Sequence, residues 1–543
     1  SVRPRARTGG SDYSRTWHLW WELNREALIG LRGIDGRTVS SGGEASVELA
    51  RIEHAKRLER AQAILRKVAR TADRADLRAA ALRSIGRTGG EMDARILVGV
   101  LCSKGQPDEI YEGAALGLAC LPRIESSEIR RGVREVYGDL VRGRCWQRGR
   151  TRRLAVMALA TRARHDPSLG WALGERLGKR VESANDGAAL LYGCGLTRDP
   201  SLVPALMEAA RTGKVSGRNL HDVARSHAAL ALARTEESAA VPILTKLLKS
   251  RKTGLHTRRS AALALGLMLR GDSLSDEARI SARTALEHGL AKGRDPLVRG
   301  FCAVAMGAAL EPFGLERLKA AVDDSGLGIA RSFAALGLGL AAWRLDGRDP
   351  DGIRPLLAER LTSERDTQLV AALSIAAGLA GSEESREALF ARLESKRIDP
   401  AVRGPAIQAL GLLRKRTPRI EKTLIRALDE GPDEVVEDAA LALGMLGTRS
   451  TALVLVDKLS RTRSESVQAH MVAALAHLGA TTAVDPLLEL VEDGSLKPTI
   501  RRAAIIALGI LLDDRETDIL FEIDAHTNPY ALTPASRARV LPY

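Results

Sequence analysis

The chain has 543 residues, more than a single globular core normally holds, so several domains or a repeat array are expected. Aromatic residues make up only 3%, which favours thin layers of packed helices, and no run of about 18 apolar residues predicts a membrane span. The formal net charge is +15, and residues 1–160 hold 30 Lys and Arg against 19 Asp and Glu, which suits an anionic partner without defining its class.

Residues 1–44 are predicted to be a basic lead-in, a tryptophan-rich helix and a Gly/Ser loop. Trp17, Trp20 and Trp21 have the spacing i, i+3 and i+4, so they share one helical face. The favoured interpretation is a capping helix over the open apolar end of a repeat array, and the alternative is an aromatic face that docks a partner. The first residue is Ser1 rather than Met, so either a targeting segment has been removed or the chain is cut.

A long charged helix is predicted over residues 45–71, and a repeated Ala/Leu-rich run begins after it. Each of the thirteen copies ends in a small residue, which we call its anchor. The anchors are Gly86, Ala119, Ala160, Gly193, Ala233, Gly266, Gly307, Gly339, Ala376, Gly411, Gly444, Ala476 and Gly509. Their spacing of 32 to 41 residues, with two helical patterns per unit, predicts an all-α fold. We expect a right-handed superhelix (α-solenoid) of about 13 helix pairs over residues 45–523.

Each unit pairs two kinds of helix. The helix that carries the anchor is apolar over a broad face, so it must be covered on more than one side. Its alanines and glycine let neighbouring helices approach closely. The preceding helix is amphipathic, as in residues 239–248 and 451–459, and fits an outer layer with one face in water.

Two inserts lengthen alternate units in the N-terminal half. The first, over residues 142–153, is the most binding-like stretch in the chain because six arginines surround a tryptophan. Its residues are Arg142, Arg144, Trp146, Arg148, Arg150, Arg152 and Arg153. It is interpreted either as a solvated basic loop or as a site for a partner. The second insert covers residues 211–221.

An arginine stands eight residues before the anchor in eight of the copies. The set is Arg78, Arg152, Arg225, Arg258, Arg299, Arg331, Arg403 and Arg501. Equivalent positions in stacked helices form a line, which we call the arginine row. It is interpreted either as a structural ladder that bonds neighbouring loops or acids, or as a row that faces a polyanion.

The segments Asp295–Gly307 and Asp399–Gly411 resemble the second-helix signature of HEAT repeats, most closely the short variety of phycobilisome-lyase-like proteins. The resemblance covers roughly residues 45–523 and implies an α-solenoid with an Asp/Arg ladder. Only Asp295 and Asp399 supply the matching acid at the same offset, so the ladder is expected to be incomplete. Residues 524–543 read as an extended, proline-broken tail.

No motif for catalysis, a metal or a cofactor is present in the sequence: it has no HExxH, GxSxG, P-loop or EF-hand pattern, and its five cysteines lack metal spacing. The expected function is a non-catalytic scaffold or structural subunit that binds other proteins and is able to self-associate. The alternative is a solenoid that binds nucleic acid or another anionic polymer, and the minor alternative is a HEAT-like glycosylase or lyase.

The pattern Trp17-x-x-Trp20-Trp21-Glu22-x-Asn24 is similar to the opening of uncharacterised exported bacterial HEAT-repeat proteins. This resemblance implies a periplasmic or cell-surface location and a role in a cell-envelope assembly. The five cysteines weigh against export, and a cytoplasmic location is the alternative.

Overall fold

A computed structural model defines the fold. It describes residues 17–18, 20–22, 44–121, 124–142, 150–163, 166, 169–179, 183–309, 312–345, 348, 352–395, 398–446, 449–478 and 481–513. The predicted C-terminal tail and Arg144, Trp146 and Arg148 of the first insert lie outside these ranges.

From residue 44 to residue 513, the described residues form 26 α-helices that alternate between two layers. The odd-numbered, outer helices are α1 Glu44–Thr71, α3 Glu91–Cys102, α5 Ser127–Arg142, α7 Trp171–Leu177, α9 Val203–Thr212, α11 Ala240–Lys249, α13 Asp276–Lys292, α15 Pro312–Asp323, α17 Ile353–Ser363, α19 Glu383–Leu393, α21 Pro418–Glu430, α23 Arg449–Arg461 and α25 Val484–Glu492. The even-numbered, inner helices are α2 Ala75–Thr88, α4 Asp108–Cys120, α6 Arg150–Ala163, α8 Ala184–Thr197, α10 Asp222–Ala233, α12 Leu255–Leu269, α14 Pro296–Ala309, α16 Ala330–Arg344, α18 Thr367–Ala380, α20 Pro400–Leu412, α22 Asp433–Leu446, α24 Glu465–Leu478 and α26 Pro498–Leu511.

The helices pair as the repeats predict. Every anchor lies on an inner helix, and the long helix predicted over residues 45–71 is α1, the outer partner of α2. The inner helices are buried along most of their length: in α18, all residues from Leu369 to Ala380 are buried. The prediction of an all-α solenoid of about 13 helix pairs is confirmed. The second insert adds one small feature, a two-stranded antiparallel hairpin of β1 (Lys214–Val215) and β2 (Arg218–Asn219).

Anchor glycines set how closely the inner helices approach. A Cβ built on Gly411 would lie 2.6 Å from the Cα of Ala442 on the next inner helix, α22. A Cβ on Gly444 would lie 2.7 Å from the Cα of Ala474 on α24. Real Cβ atoms do not approach this closely, so glycine is needed here to bring backbone against backbone. The same contact recurs along the array and explains why small residues close each repeat.

The two ends of the array meet and close it into a ring. The last inner helix, α26, packs against the first, α2, and the outer helices α1 and α25 are also in contact. A Cβ on Gly509 would lie 2.9 Å from the Cα of Ser84, which is the same close approach as between successive repeats. The Ser84 hydroxyl donates to the carbonyl of Ile505 at 2.9 Å. Closure therefore uses the packing device that joins the internal repeats.

Ion pairs reinforce this closing interface. Arg87, at the end of α2, pairs with Asp513 beyond α26 at 3.4 Å, and both side chains are buried. In the outer layer, Arg57 of α1 donates to Asp485 of α25 at 3.1 Å, and Arg60 lies 3.6 Å from Glu492. A buried ion pair fixes the relative position of the two elements that carry it, because separating the partners would leave an uncompensated buried charge. The interface thus combines apolar packing with a specific polar register.

Candidate functional site

The three N-terminal tryptophans lie against inner helices in the middle of the array. We call Trp17, His18, Trp20, Trp21 and Glu22 the tryptophan segment. Its three indoles are at most 1% exposed, and all five positions are helical. A 1% exposure leaves no aromatic surface for a second molecule while the segment stays in place. We call the surface that receives it the dock.

Aromatic packing forms one half of the dock. The Trp20 ring centroid lies 6.4 Å from that of Phe301 on α14 and 6.2 Å from that of Phe333 on α16. The two phenylalanine rings meet edge to face at 5.6 Å. Such tilted and T-shaped arrangements are the favourable ones for aromatic pairs. Trp20 is thus the apolar anchor of the segment.

Amide side chains form the other half. Trp17 Nε1–H donates to Gln368 Oε1 on α18 at 3.1 Å, and Trp21 Nε1–H donates to Gln408 Oε1 on α20 at 2.6 Å. The Gln408 amide nitrogen donates in turn to Glu22 at 3.0 Å and to Asp438 on α22 at 3.1 Å. Gln408 is fully buried, so its polar atoms must find such partners. The dock therefore recognises indole N–H groups and an acid by specific hydrogen bonds.

This geometry corrects the prediction of a capping helix. The tryptophans do not cover an open end of the array, because the two ends cover each other. Nor are they an exposed docking face, since they are buried. Sequence reasoning missed the dock residues Phe301, Phe333, Gln368, Gln408 and Asp438. A signal was present in Gln408, a polar side chain within the apolar run of an inner helix.

The described part of the first insert lies beside α7 and α8. Arg142 donates through Nε to Glu175 at 2.9 Å, and its guanidinium lies 4.3 Å from the Trp171 ring. Lys179 and Arg142 hold the pKa of Glu175 below its usual value through their hydrogen bonds to it. Arg152 and Arg153 both face Asp186, at 3.7 and 3.2 Å. Arg150 begins α6.

The arginine row lies along the joint between the two layers. In six members the Nε–H donates to a main-chain carbonyl at the end of the outer helix of the same pair. The pairs are Arg78 to Ala69, Arg225 to Ala210, Arg258 to Leu248, Arg299 to Gly293, Arg331 to Val322 and Arg501 to Val491. A cation is favourable at a helix C-terminus, where carbonyls lack partners. Most of the row thus has a structural partner, whereas Arg403 is exposed.

Among the described residues, no group of three or more His, Cys, Asp or Glu could hold a metal ion. Of the described cysteines, Cys120, Cys194 and Cys302 are buried, and burial raises the pKa of the latter two thiols. Within the same part of the chain, no helix has the combined length and apolar character that crossing a bilayer requires.

A family model of HEAT repeats matches residues 452–535. The match confirms the HEAT-repeat resemblance for the last repeats of the array, which are α23 to α26 in the structure. No curated protein matches the sequence.

Several solved α-solenoids are similar to the chain at low identity. Kap121p bound to Pho4p is 14% identical with a TM-score of 0.36, over 76% of this chain and 48% of that one. Kap95p, in a study of RanGDP, is 12% identical with a TM-score of 0.37, over 84% and 66%. Human deoxyhypusine hydroxylase is 16% identical with a TM-score of 0.23, over 65% and 96%. The chain spans about half the length of Kap121p, and likeness at this level carries no argument about function.

Proposed function

We propose that the protein is a non-catalytic scaffold that binds partner proteins, and that the dock is its main binding site. The observation that carries this proposal is the specific seating of the tryptophan segment on α14 to α22. Aromatic anchors in desolvated pockets, with a few placed hydrogen bonds, are how protein interfaces concentrate their affinity. An inner surface built to hold such a segment in the same chain is chemically suited to hold one from another chain.

The dock defines the chemistry of the partner. Phe301 and Phe333 suit a large aromatic ring, and the Gln368 and Gln408 carbonyl oxygens suit indole N–H donors. The Gln408 amide nitrogen suits a carboxylate such as Glu22. We therefore propose a partner segment that carries tryptophans followed by an acid. A second copy of this chain has that segment, which makes self-association part of the proposal.

The similarity of the tryptophan pattern to exported bacterial proteins supports a location in the periplasm or on the cell surface, within an envelope assembly.

A polyanion-binding role takes second place, because most of the arginine row already donates to helix carbonyls. The net positive charge of residues 1–160 is the feature that favours polyanion binding. Binding of that kind would weaken steeply with added salt.

The test uses the tagged full chain as bait in extracts of the organism that encodes it, with quantitative mass spectrometry. Trp20→Ala loosens the intramolecular occupant and should increase recovery of a protein that uses the dock. Gln408→Leu alters the dock itself and should decrease recovery of the same protein. Trp171→Ala, at a half-exposed tryptophan on α7, is the matched control and should change nothing.

A partner whose recovery rises with Trp20→Ala and falls with Gln408→Leu would support the proposal. The proposal would be contradicted if the chain sediments only as a monomer and captures no protein with this pattern of response.

A further inference from the structure

The loops that lead from an outer helix to the next inner helix lie on one edge of the ring, because outer and inner helices run in opposite directions. Three consecutive loops of this kind follow α9, α11 and α13. They are tied to one another: Asp222, at the start of α10, accepts from the His256 main-chain N–H of α12 at 3.0 Å. Asp295, at the end of the third loop, accepts from Arg259 of α12 at 3.0 Å. The three loops therefore form one continuous surface.

These loops, with the last turns of the helices before them, carry eight exposed cations. In the first loop, which is the second insert with its hairpin, they are Arg211, Lys214 and Arg218. In the second and third loops they are Lys249, Arg251, Lys252, Lys292 and Arg294. None of the eight side chains forms an ion pair or a hydrogen bond within the described part of the chain. We call them the basic edge.

Only two acids lie in these loops or directly after them, and both are bound inside the ring. Asp222 also accepts from the Thr257 hydroxyl at 2.6 Å, and Asp295 pairs with Arg259 at 2.7 Å with both side chains buried. The loop after α15 carries Asp324 instead of cations, so the excess of positive charge ends there. The basic edge is thus a concentrated positive surface that the fold itself leaves without partners.

A leucine distinguishes this surface from a purely electrostatic one. Leu255 begins α12 directly after the second loop and is 45% exposed. An exposed leucine beside cations suits the boundary of a lipid bilayer, where apolar side chains enter the acyl region while Lys and Arg stay at the headgroups. The three loops contain no Phe, Trp or Tyr on which the bases of a single-stranded nucleic acid could stack. The composition of the surface therefore favours lipid over nucleic acid.

We propose that the basic edge binds the surface of a bilayer that contains anionic lipids. The headgroup phosphates accept from the cations, and Leu255 enters the boundary between headgroups and acyl chains. Clusters of about four to eight Lys and Arg are typical of such peripheral binding. The ring contacts the bilayer with this edge, and the inference does not depend on the dock.

The experiment is cosedimentation of the full chain with vesicles of equal parts phosphatidylglycerol and phosphatidylcholine, against vesicles of phosphatidylcholine alone. The wild type should bind only the anionic vesicles, with an affinity that falls as salt is added. Each cation at the surface tightens binding about fivefold. The triple variant Lys249→Gln, Arg251→Gln, Lys252→Gln should therefore bind about a hundredfold more weakly.

The matched control is Arg130→Gln, Arg131→Gln, Arg134→Gln, which removes three exposed cations without described partners from the outer helix α5. It changes the net charge equally and should bind almost like the wild type, because cations more than about 10 Å from the bilayer are screened. Lys292→Gln with Arg294→Gln is a second, independent variant and should weaken binding about twenty-five-fold. All of these side chains are exposed, so the variants should fold like the wild type.

Leu255→Ser separates lipid from nucleic acid, because it leaves the charge unchanged. It should weaken vesicle binding roughly fivefold. Duplex DNA of mixed sequence is the competing probe, and its electrostatic binding should not respond to this substitution. The assignment would be overturned by equal binding of the wild type to both kinds of vesicle, or by equal losses in the two triple variants. Tighter binding of the DNA than of the anionic vesicles at the same phosphate concentration would also overturn it.

Discussion

Gly509 on the last inner helix packs directly against Ser84 on the first, and a Cβ on this glycine would lie 2.5 Å from the Ser84 hydroxyl oxygen. The contact joins two residues that are 425 positions apart in the sequence. It turns a linear array, in which each repeat touches only its neighbours, into a ring in which every described repeat has two neighbours.

Replacing Gly509 by alanine should loosen the ring. The new Cβ would overlap Ser84, including its Cα, and overpacking of this kind typically costs about 1–3 kcal/mol. Gly99→Ala is the matched control, because Gly99 also lies within a helix but has open space around it. Alanine should stabilise that helix by up to about 1 kcal/mol. Urea unfolding of both variants checks the opposite signs, and a stabilised Gly509→Ala would contradict the close packing.

Gln408→Leu should release the tryptophan segment. The change removes the acceptor of Trp21 Nε1–H and the donor to Glu22, and each buried group left unpaired costs about 1–3 kcal/mol. We expect red-shifted tryptophan fluorescence and greater quenching by acrylamide. Gln468→Leu is the control, since Gln468 is also a buried inner-helix amide but donates to the Thr462 carbonyl. Equal spectra for the two variants would argue against the dock.

Two arginines of the arginine row should differ in their effect on stability. Arg331 donates to the Val322 carbonyl at 2.8 Å and to Glu364 at 2.7 Å, so Arg331→Ala should lower the free energy of unfolding by about 1–3 kcal/mol. Arg403 has the same position in its repeat but is exposed, so Arg403→Ala should change stability by less than about 0.5 kcal/mol. Thermal unfolding measures both, and similar effects would contradict a structural role for Arg331.

Stability should fall in mild acid because of His227. Burial lowers the pKa of His227 to about 4, and its Nδ1–H donates to the Val223 carbonyl at 2.9 Å. An unfolded histidine has a pKa of about 6.5. Between those values the unfolded chain binds a proton that the folded chain does not, so lowering the pH from about 6.5 to 4 destabilises the fold. The loss should approach about 3 kcal/mol at pH 4.

His227→Gln should remove most of this contribution, and His288→Gln, at an exposed histidine, should not. The measurement is the urea midpoint of the three proteins from pH 7 to pH 4.5. A wild type and a His227→Gln variant that lose stability in parallel would show that His227 is protonated in the folded state.

The repeats were predictable because their physics is local. Each anchor glycine or alanine, such as Gly411, is needed at one fixed position of one helix, so the pattern recurs in the sequence. Ring closure has no such local mark, because it depends on the summed curvature of all thirteen pairs. One signal did exist: α26 has apolar residues such as Ile505 and Ile506 rather than the polar face of a terminal repeat.

The dock was not predictable from the tryptophans alone. Their spacing establishes that they share a face, but an end cap and an interior dock bury that face equally well. The partners Phe301 and Gln408 lie more than 280 residues away in sequence, and no spacing rule connects them to Trp20. The arginine row was found by its period, yet only the structure distinguishes bonded members such as Arg331 from the exposed Arg403.

The ring closure is tested most directly by crosslinking Arg60→Cys to Glu492→Cys with a short bismaleimide, in a background where Cys102 and Cys145 are replaced by serine. These side chains lie 3.6 Å apart across the closing interface, whereas in an open array the same positions would be on the order of 100 Å apart along the repeats. Arg60→Cys with Glu316→Cys, on the outer helix α15, is the control pair. A closed ring predicts rapid intramolecular crosslinking of the first pair only. No crosslink, or the same yield from both pairs, would contradict it.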